Sequence, residues 1–127
     1  MSRFPRLLLF CGIWLGMIPA ASATWGAFVS TGTATGIGNP SCALVTTGHV
    51  VCAVRTGKAA IMVDELNGTT WNGWKTLAMT VSSDPSCASD GGGKVLCAAT
   101  ATTGNLQASI FNGTTWSAPS TVTAALF

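Results

Sequence analysis

From Pro40 onward the apolar residues come in short runs broken by glycines and polar turns, with almost no helix-period pattern. The runs are rich in Val, Ala and Thr, residues that suit a pleated, half-buried surface. They predict strands over Ser41 to Val45, Val50 to Arg55, Ala60 to Leu66 and Trp71 to Ala78. Turns fall at Thr46-Thr47-Gly48, at Thr56-Gly57-Lys58 and at Asn67-Gly68, the last a two-residue hairpin signal because both residue types accept positive φ. The same order returns over Ser86 to Ser89, Val95 to Thr100, Leu106 to Phe111 and Trp116 to Thr123, with a looser first turn at Asp90-Gly91-Gly92-Gly93.

The return is an internal duplication. Pro40-Ser41-Cys42-Ala43 recurs as Pro85-Ser86-Cys87-Ala88, an offset of 45 residues that also carries Cys52 onto Cys97. Asn67-Gly68-Thr69-Thr70-Trp71 falls on Asn112-Gly113-Thr114-Thr115-Trp116 at the same offset, without a gap. A period of that length, made of four short strands, is the size of one β-propeller blade. The expected fold is all-β, with two four-stranded antiparallel propeller-type blades whose first strands lie innermost. Propellers have about four to eight blades. Two repeats therefore make an incomplete propeller, which needs oligomerisation or further repeats in a longer chain. Three copies of the chain would supply six blades by this count. The expected segments are a signal peptide over 1–23, an orphan outer strand (Trp25 to Thr31) with a linker over 24–39, and blades over 40–84 and 85–127.

The signal peptide rests on Arg3 and Arg6, the apolar run Leu7 to Ile18 and the small-residue site Ala21-Ser22-Ala23. Cleavage after Ala23 would make the protein secreted or cell-surface, and an uncleaved amino-terminal anchor is the alternative. The formal charge of +2 owes everything to Arg3 and Arg6, since Arg55, Lys58, Lys75 and Lys94 face Asp64, Glu65, Asp84 and Asp90. So balanced a chain has no dense basic face for nucleic acid and no field to draw a strongly anionic partner. Apart from Cys11 in the signal, the cysteines occupy matched positions in the repeats, which in an exported chain reads as disulfides. Pairing within each repeat, Cys42 with Cys52 and Cys87 with Cys97, is the best of three connectivities because each unit then carries its own staple. Zinc is the rival, although the spacing is not that of a zinc knuckle.

Pro-Ser-Cys, then Gly-x-Val-x-Cys-Ala, then Asn-Gly-Thr-Thr-Trp resembles the repeats of bacterial β-propeller lectins with tectonin-like repeats. That group includes fucose-binding lectins made of two-blade chains that trimerise. The resemblance runs from Pro40 to about Val122. It implies a neutral sugar, a fucose-like one included, held without metal or other cofactor in shallow pockets between blades. There an aromatic ring stacks on the sugar, and arginine and acidic side chains hold its hydroxyls. Trp71 and Trp116 match the tryptophan after the hairpin, and Trp74 matches a second tryptophan, replaced in repeat two by Pro119. Arg55, Asp64 and Glu65 are replaced there by Thr100, Ser109 and Ile110.

The candidate sugar-binding residues are therefore Trp74, Trp71, Trp116, Arg55 and Glu65. Because Trp71 and Trp116 are duplicated, packing of the hairpin competes with stacking for both, whereas the unduplicated Trp74 is the better stacking candidate. For Arg55 the competing role is a salt bridge to Asp64 or Glu65 on the neighbouring strand. His49, the sole histidine, reads as a solvated turn residue beside Gly48. The sequons at Asn67 and Asn112 read first as turns. Enzyme chemistry has little support, since glycoside hydrolysis takes two carboxylates facing each other across the substrate. Asp64 and Glu65, adjacent on one strand, point to opposite faces. The expected function is a secreted, non-catalytic, carbohydrate-binding propeller lectin acting as a homo-oligomer. The alternative is a structural or adhesive repeat module, or a fragment of a larger surface protein, without its own ligand.

Overall fold

A computed structural model describes residues 37–122; the expected signal peptide, the expected orphan strand and Thr123 lie outside them. The described chain is all-β. Its strands are β1 (Ser41–Thr46), β2 (His49–Arg55), β3 (Ala60–Asn67), β4 (Thr70–Trp71), β5 (Lys75–Thr80), β6 (Ser86–Ser89), β7 (Val95–Thr100), β8 (Leu106–Phe111) and β9 (Ser120–Val122). β1, β2 and β3 form an antiparallel meander, and β4 and β5 both pair with β3. Repeat two makes a second antiparallel sheet in the order β6-β7-β8-β9.

The expected fourth strand is broken in both repeats. Gly73, at φ +94°, turns the chain out of the sheet between β4 and β5, a conformation glycine adopts without steric penalty. The buried carboxylate of Asp64 holds this break, its Oδ1 accepting from the Gly73 amide at 2.9 Å. In repeat two the counterpart is Ser109, also buried, whose Oγ donates to the Ser117 carbonyl at 2.8 Å. There only a bridge between Phe111 and Trp116 precedes β9. The Asn67 hairpin also differs by one residue: Asn67 pairs with Thr70, so the two-residue loop is Gly68-Thr69, with Gly68 at φ +62°. Positive φ at the first loop position matches the twist of the flanking strands.

Strand alternation sorts the side chains onto two faces. In repeat one the disulfide Cys42–Cys52 shares a face with Leu44, Val50, Asp64 and Leu66, while Ala43, Val51, Ala53, Ile61, Val63, Glu65 and Leu77 take the other. In repeat two the cystine face carries Cys87–Cys97, Val95, Ser109 and Phe111. The core joins the non-cystine face of repeat one (Val51, Ala53, Ile61, Val63, Leu77) to the cystine face of repeat two (Val95, Cys97, Ala99, Phe111). β1 lies against β6, and the Cys87 amide donates to Ser41 Oγ at 2.9 Å. Small Ala and Val side chains let the sheets approach closely, and the fully buried Phe111 fills one end. The sheets thus stack in sequence, front of one on back of the next, rather than as mirror partners.

Both disulfides join directly opposed residues of adjacent strands, at Cα–Cα distances of 4.0 and 4.1 Å, which disposes of the zinc alternative for these cysteines and fits an oxidising compartment. They are unequal in setting. Cys42 is exposed, whereas Cys97 is buried between the sheets. Replacing Cys42 and Cys52 by alanine should therefore cost about 2–3 kcal/mol, the loop-closure value for a ring of this size. Replacing Cys87 and Cys97 should cost more, because cavity formation adds to loop closure. Urea midpoints of the two double variants check this; equal losses would refute it.

Candidate functional site

Where the two sheets meet near the start of β2, register places His49, Val51 and Glu65 on the face turned toward repeat two. His49 is not the solvated turn residue expected from sequence. It begins β2 and is half-buried, with its ring edge-on to Phe111 at 5.7 Å and 89°. Phe111 in turn leans on Trp116 at 5.3 Å and 45°. The result is an aromatic chain from one sheet to the other, ending beside the Glu65 carboxylate.

Glu65 is buried to 8% exposure and has polar neighbours on three sides. Asn72 Nδ2 donates to its Oε2 at 3.4 Å, Lys75 Nζ stands 3.8 Å from Oε1, and His49 Nε2 lies 3.6 Å from Oε2. The last two separations are longer than a hydrogen bond. His49 Nε2 and Trp116 Nε1 are both buried without a hydrogen-bond partner. Buried polar groups are usually satisfied, so such gaps at one junction call for an explanation. Asn72 and Lys75 are exposed and form the solvent rim of the cluster.

The expected site residues are not gathered in one place. Glu65 and Trp116 belong to this junction. Trp71 pairs with Leu66 as Trp116 bridges to Phe111, so the duplicated tryptophans share one backbone role; Trp71 lies on the cystine face of repeat one. Trp74 is half-buried in the segment between β4 and β5. Asp64 binds the backbone on the opposite face of β3 from Glu65.

Arg55 is not part of the junction, and its partner is neither Asp64 nor Glu65. It sits across from Ile61 at the far end of β2, four positions from the Val51–Glu65 pair, roughly 13 Å along a strand. Its Nε donates to Asp84 Oδ1 at 3.0 Å. The other oxygen of Asp84 accepts from the amide and side chain of Asn39, at 3.0 and 3.2 Å. A Cβ on Gly38 would collide with this carboxylate and crowd Arg55 Cβ, so the close approach requires glycine there. Asn39 and Asp84 are themselves counterparts, each preceding the proline that opens a repeat. This clasp ties the entry segments of both repeats to β2 through the Arg55 Nε.

No protein-family model matches the chain, and neither does any curated protein sequence.

The clasp has a pH signature. The Asn39 amide bond and then the Arg55 hydrogen bond hold the Asp84 carboxyl below the ordinary carboxylate range. A depressed folded-state pKa contributes stability that is complete above the unfolded value, about 4, and is lost as pH falls through the folded value. Urea midpoints of the parent protein and Asp84→Asn should differ most at neutral pH and converge below about pH 4. A constant difference across that range would show that the carboxylate charge is not what the clasp uses.

Proposed function

We propose that the chain is an exported, non-catalytic carbohydrate-binding module of the β-propeller type, each repeat acting as one blade. In this reading a neutral sugar is held at the junction of the two sheets. The observation that carries it is the Glu65 carboxylate at that junction, ringed by His49, Asn72 and Lys75 and adjoined by the Phe111–Trp116 ring pair. A carboxylate accepts from vicinal hydroxyls, amide and ammonium groups donate to them, and an aromatic ring receives the apolar face of a sugar. The bacterial tectonin-type lectins, which the repeats resemble, use the same chemistry between blades. Binding without hydrolysis fits the placement of Asp64 and Glu65 on opposite faces of β3, where they cannot flank one glycosidic bond.

The second reading is a structural or adhesive repeat with no small-molecule ligand. It draws on the engagement of Arg55, the one guanidinium of the described residues, with Asp84.

Titration against a panel of neutral glycans, fucose included, tests the proposal. Glu65→Gln should weaken binding about tenfold or more, the worth of a charged hydrogen bond. Arg55→Ala should lower stability and leave affinity unchanged. Absence of binding to any neutral glycan at millimolar concentration, or unchanged affinity in Glu65→Gln, would favour the structural reading.

A further inference from the structure

The segments that follow β3 and β8 read alike, Asn67-Gly68-Thr69-Thr70-Trp71 and Asn112-Gly113-Thr114-Thr115-Trp116. In an Asn-Gly pair the side-chain amide is open to attack by the next backbone nitrogen, because glycine places no Cβ in the way. Identical sequences should share that reactivity, yet the fold treats the two pairs differently. In repeat one the attacking nitrogen is occupied. The Gly68 amide donates to the Gly48 carbonyl at 2.7 Å, and Asn67 is held in β3 by pairing with His49 on one side and Thr70 on the other. Attack would cost that hydrogen bond and the end of the ladder.

In repeat two the arrangement is reversed. The segment from Asp90 to Lys94 joins β6 to β7, where β1 and β2 need only Thr47 and Gly48. Asp90 Oδ1 shapes that longer loop by accepting from the Gly92 and Lys94 amides at 2.7 and 2.9 Å. The carbonyl equivalent to that of Gly48 belongs to Gly93, and it lies 3.3 Å from where a Cβ on Gly113 would stand. Among the described residues no acceptor takes the Gly113 amide. Asn112 lies past the end of β8 and is exposed. Its Oδ1 accepts from the Thr114 and Thr115 amides at 3.0 and 2.8 Å, and from Thr115 Oγ1 at 3.4 Å. Backbone N–H groups can meet only the oxygen of a carboxamide, so Nδ2 is turned away from them. These donors sit on the atom that gains negative charge when a nitrogen adds to Cγ, the disposition of an oxyanion hole.

We propose that Asn112 is a site of self-modification, where the fold promotes cyclisation and loss of the side-chain amide, while Asn67 is protected. The Gly113 nitrogen gives its proton to solvent hydroxide and bonds to Asn112 Cγ. The Cγ–Nδ2 bond breaks, and Nδ2 leaves as ammonia with a proton taken from water. The succinimide ring so formed then adds one water molecule. Opening at the former side-chain carbonyl gives aspartate; opening at the backbone carbonyl gives isoaspartate, with the chain routed through the side-chain carbon. Both products place a carboxylate in the hairpin that sets Trp116 against Phe111, and isoaspartate adds a methylene to its backbone. The reaction needs no ligand and is independent of sugar binding.

Peptide mapping by mass spectrometry tests this on the parent protein, without any variant. The oxidised protein is incubated in warm, mildly alkaline buffer, native and urea-unfolded samples side by side. In the unfolded chain the identical pairs should convert at similar rates. In the native protein Asn112 should convert about tenfold or more faster than Asn67, well within what one oxyanion donor contributes in an enzyme. It should also convert no more slowly than in the unfolded chain. Similar native rates at the two positions, or faster conversion at Asn67, overturn the proposal. So does an Asn112 that slows on folding, which would mean that the hydrogen bonds to Oδ1 lock the side chain instead of activating it.

Discussion

Stacking of two successive sheets, front against back, is the constraint from which the remaining features follow. A small antiparallel sheet has no interior of its own; it gains one only when another layer covers a face. Here the covering layer is a copy of the same unit, so one set of strand positions must serve as front and as back. The small Ala and Val side chains at the contact, the opposed cystine pairs and the burial of Phe111 all answer to that requirement. The Asp84 clasp serves it too, fastening the entry of the second repeat to the end of β2 in the first.

The two repeats have diverged according to what each face meets. Glu65 and His49 lie where the sheets touch, and their counterparts Ile110 and Lys94 lie on the outside. Asp64 and Ser109 differ in charge yet perform one task, securing the break in the fourth strand. Failure of a residue to repeat is therefore ambiguous. At position 64 it reflects two solutions to one backbone problem, whereas at position 65 it marks a different environment.

Much of the architecture was legible in the chain. Alternation and turn residues located the strands closely, because a period of two and Gly-rich turns are local signals. The disulfide pairing followed from duplication, which made each unit its own reference. The break in the fourth strand was missed, although Asn72-Gly73 was its signal, because the aromatic and aliphatic residues on either side still read as one strand. The partner of Arg55 was not legible: Asp84 lies 29 residues away and arrives only once the sheets stack. The pre-proline equivalence of Asn39 and Asp84 pointed to a shared role at the repeat entries, without naming the arginine. His49 was misjudged for a similar reason, since its neighbour Phe111 belongs to the other sheet.

The unequal burial of the two cystines bears on how each meets a reductant. Thiol–disulfide exchange needs a thiolate to reach sulfur along a clear path. Cys42 stays open to solvent in the finished fold, so the first cystine can form or be repaired late. Cys97 is sealed beneath the first sheet and Cys87 is half-buried, so exchange at the second cystine has to enter through the Cys87 sulfur unless the sheets part. The packed fold thus shields the second bond from reduction more than the first.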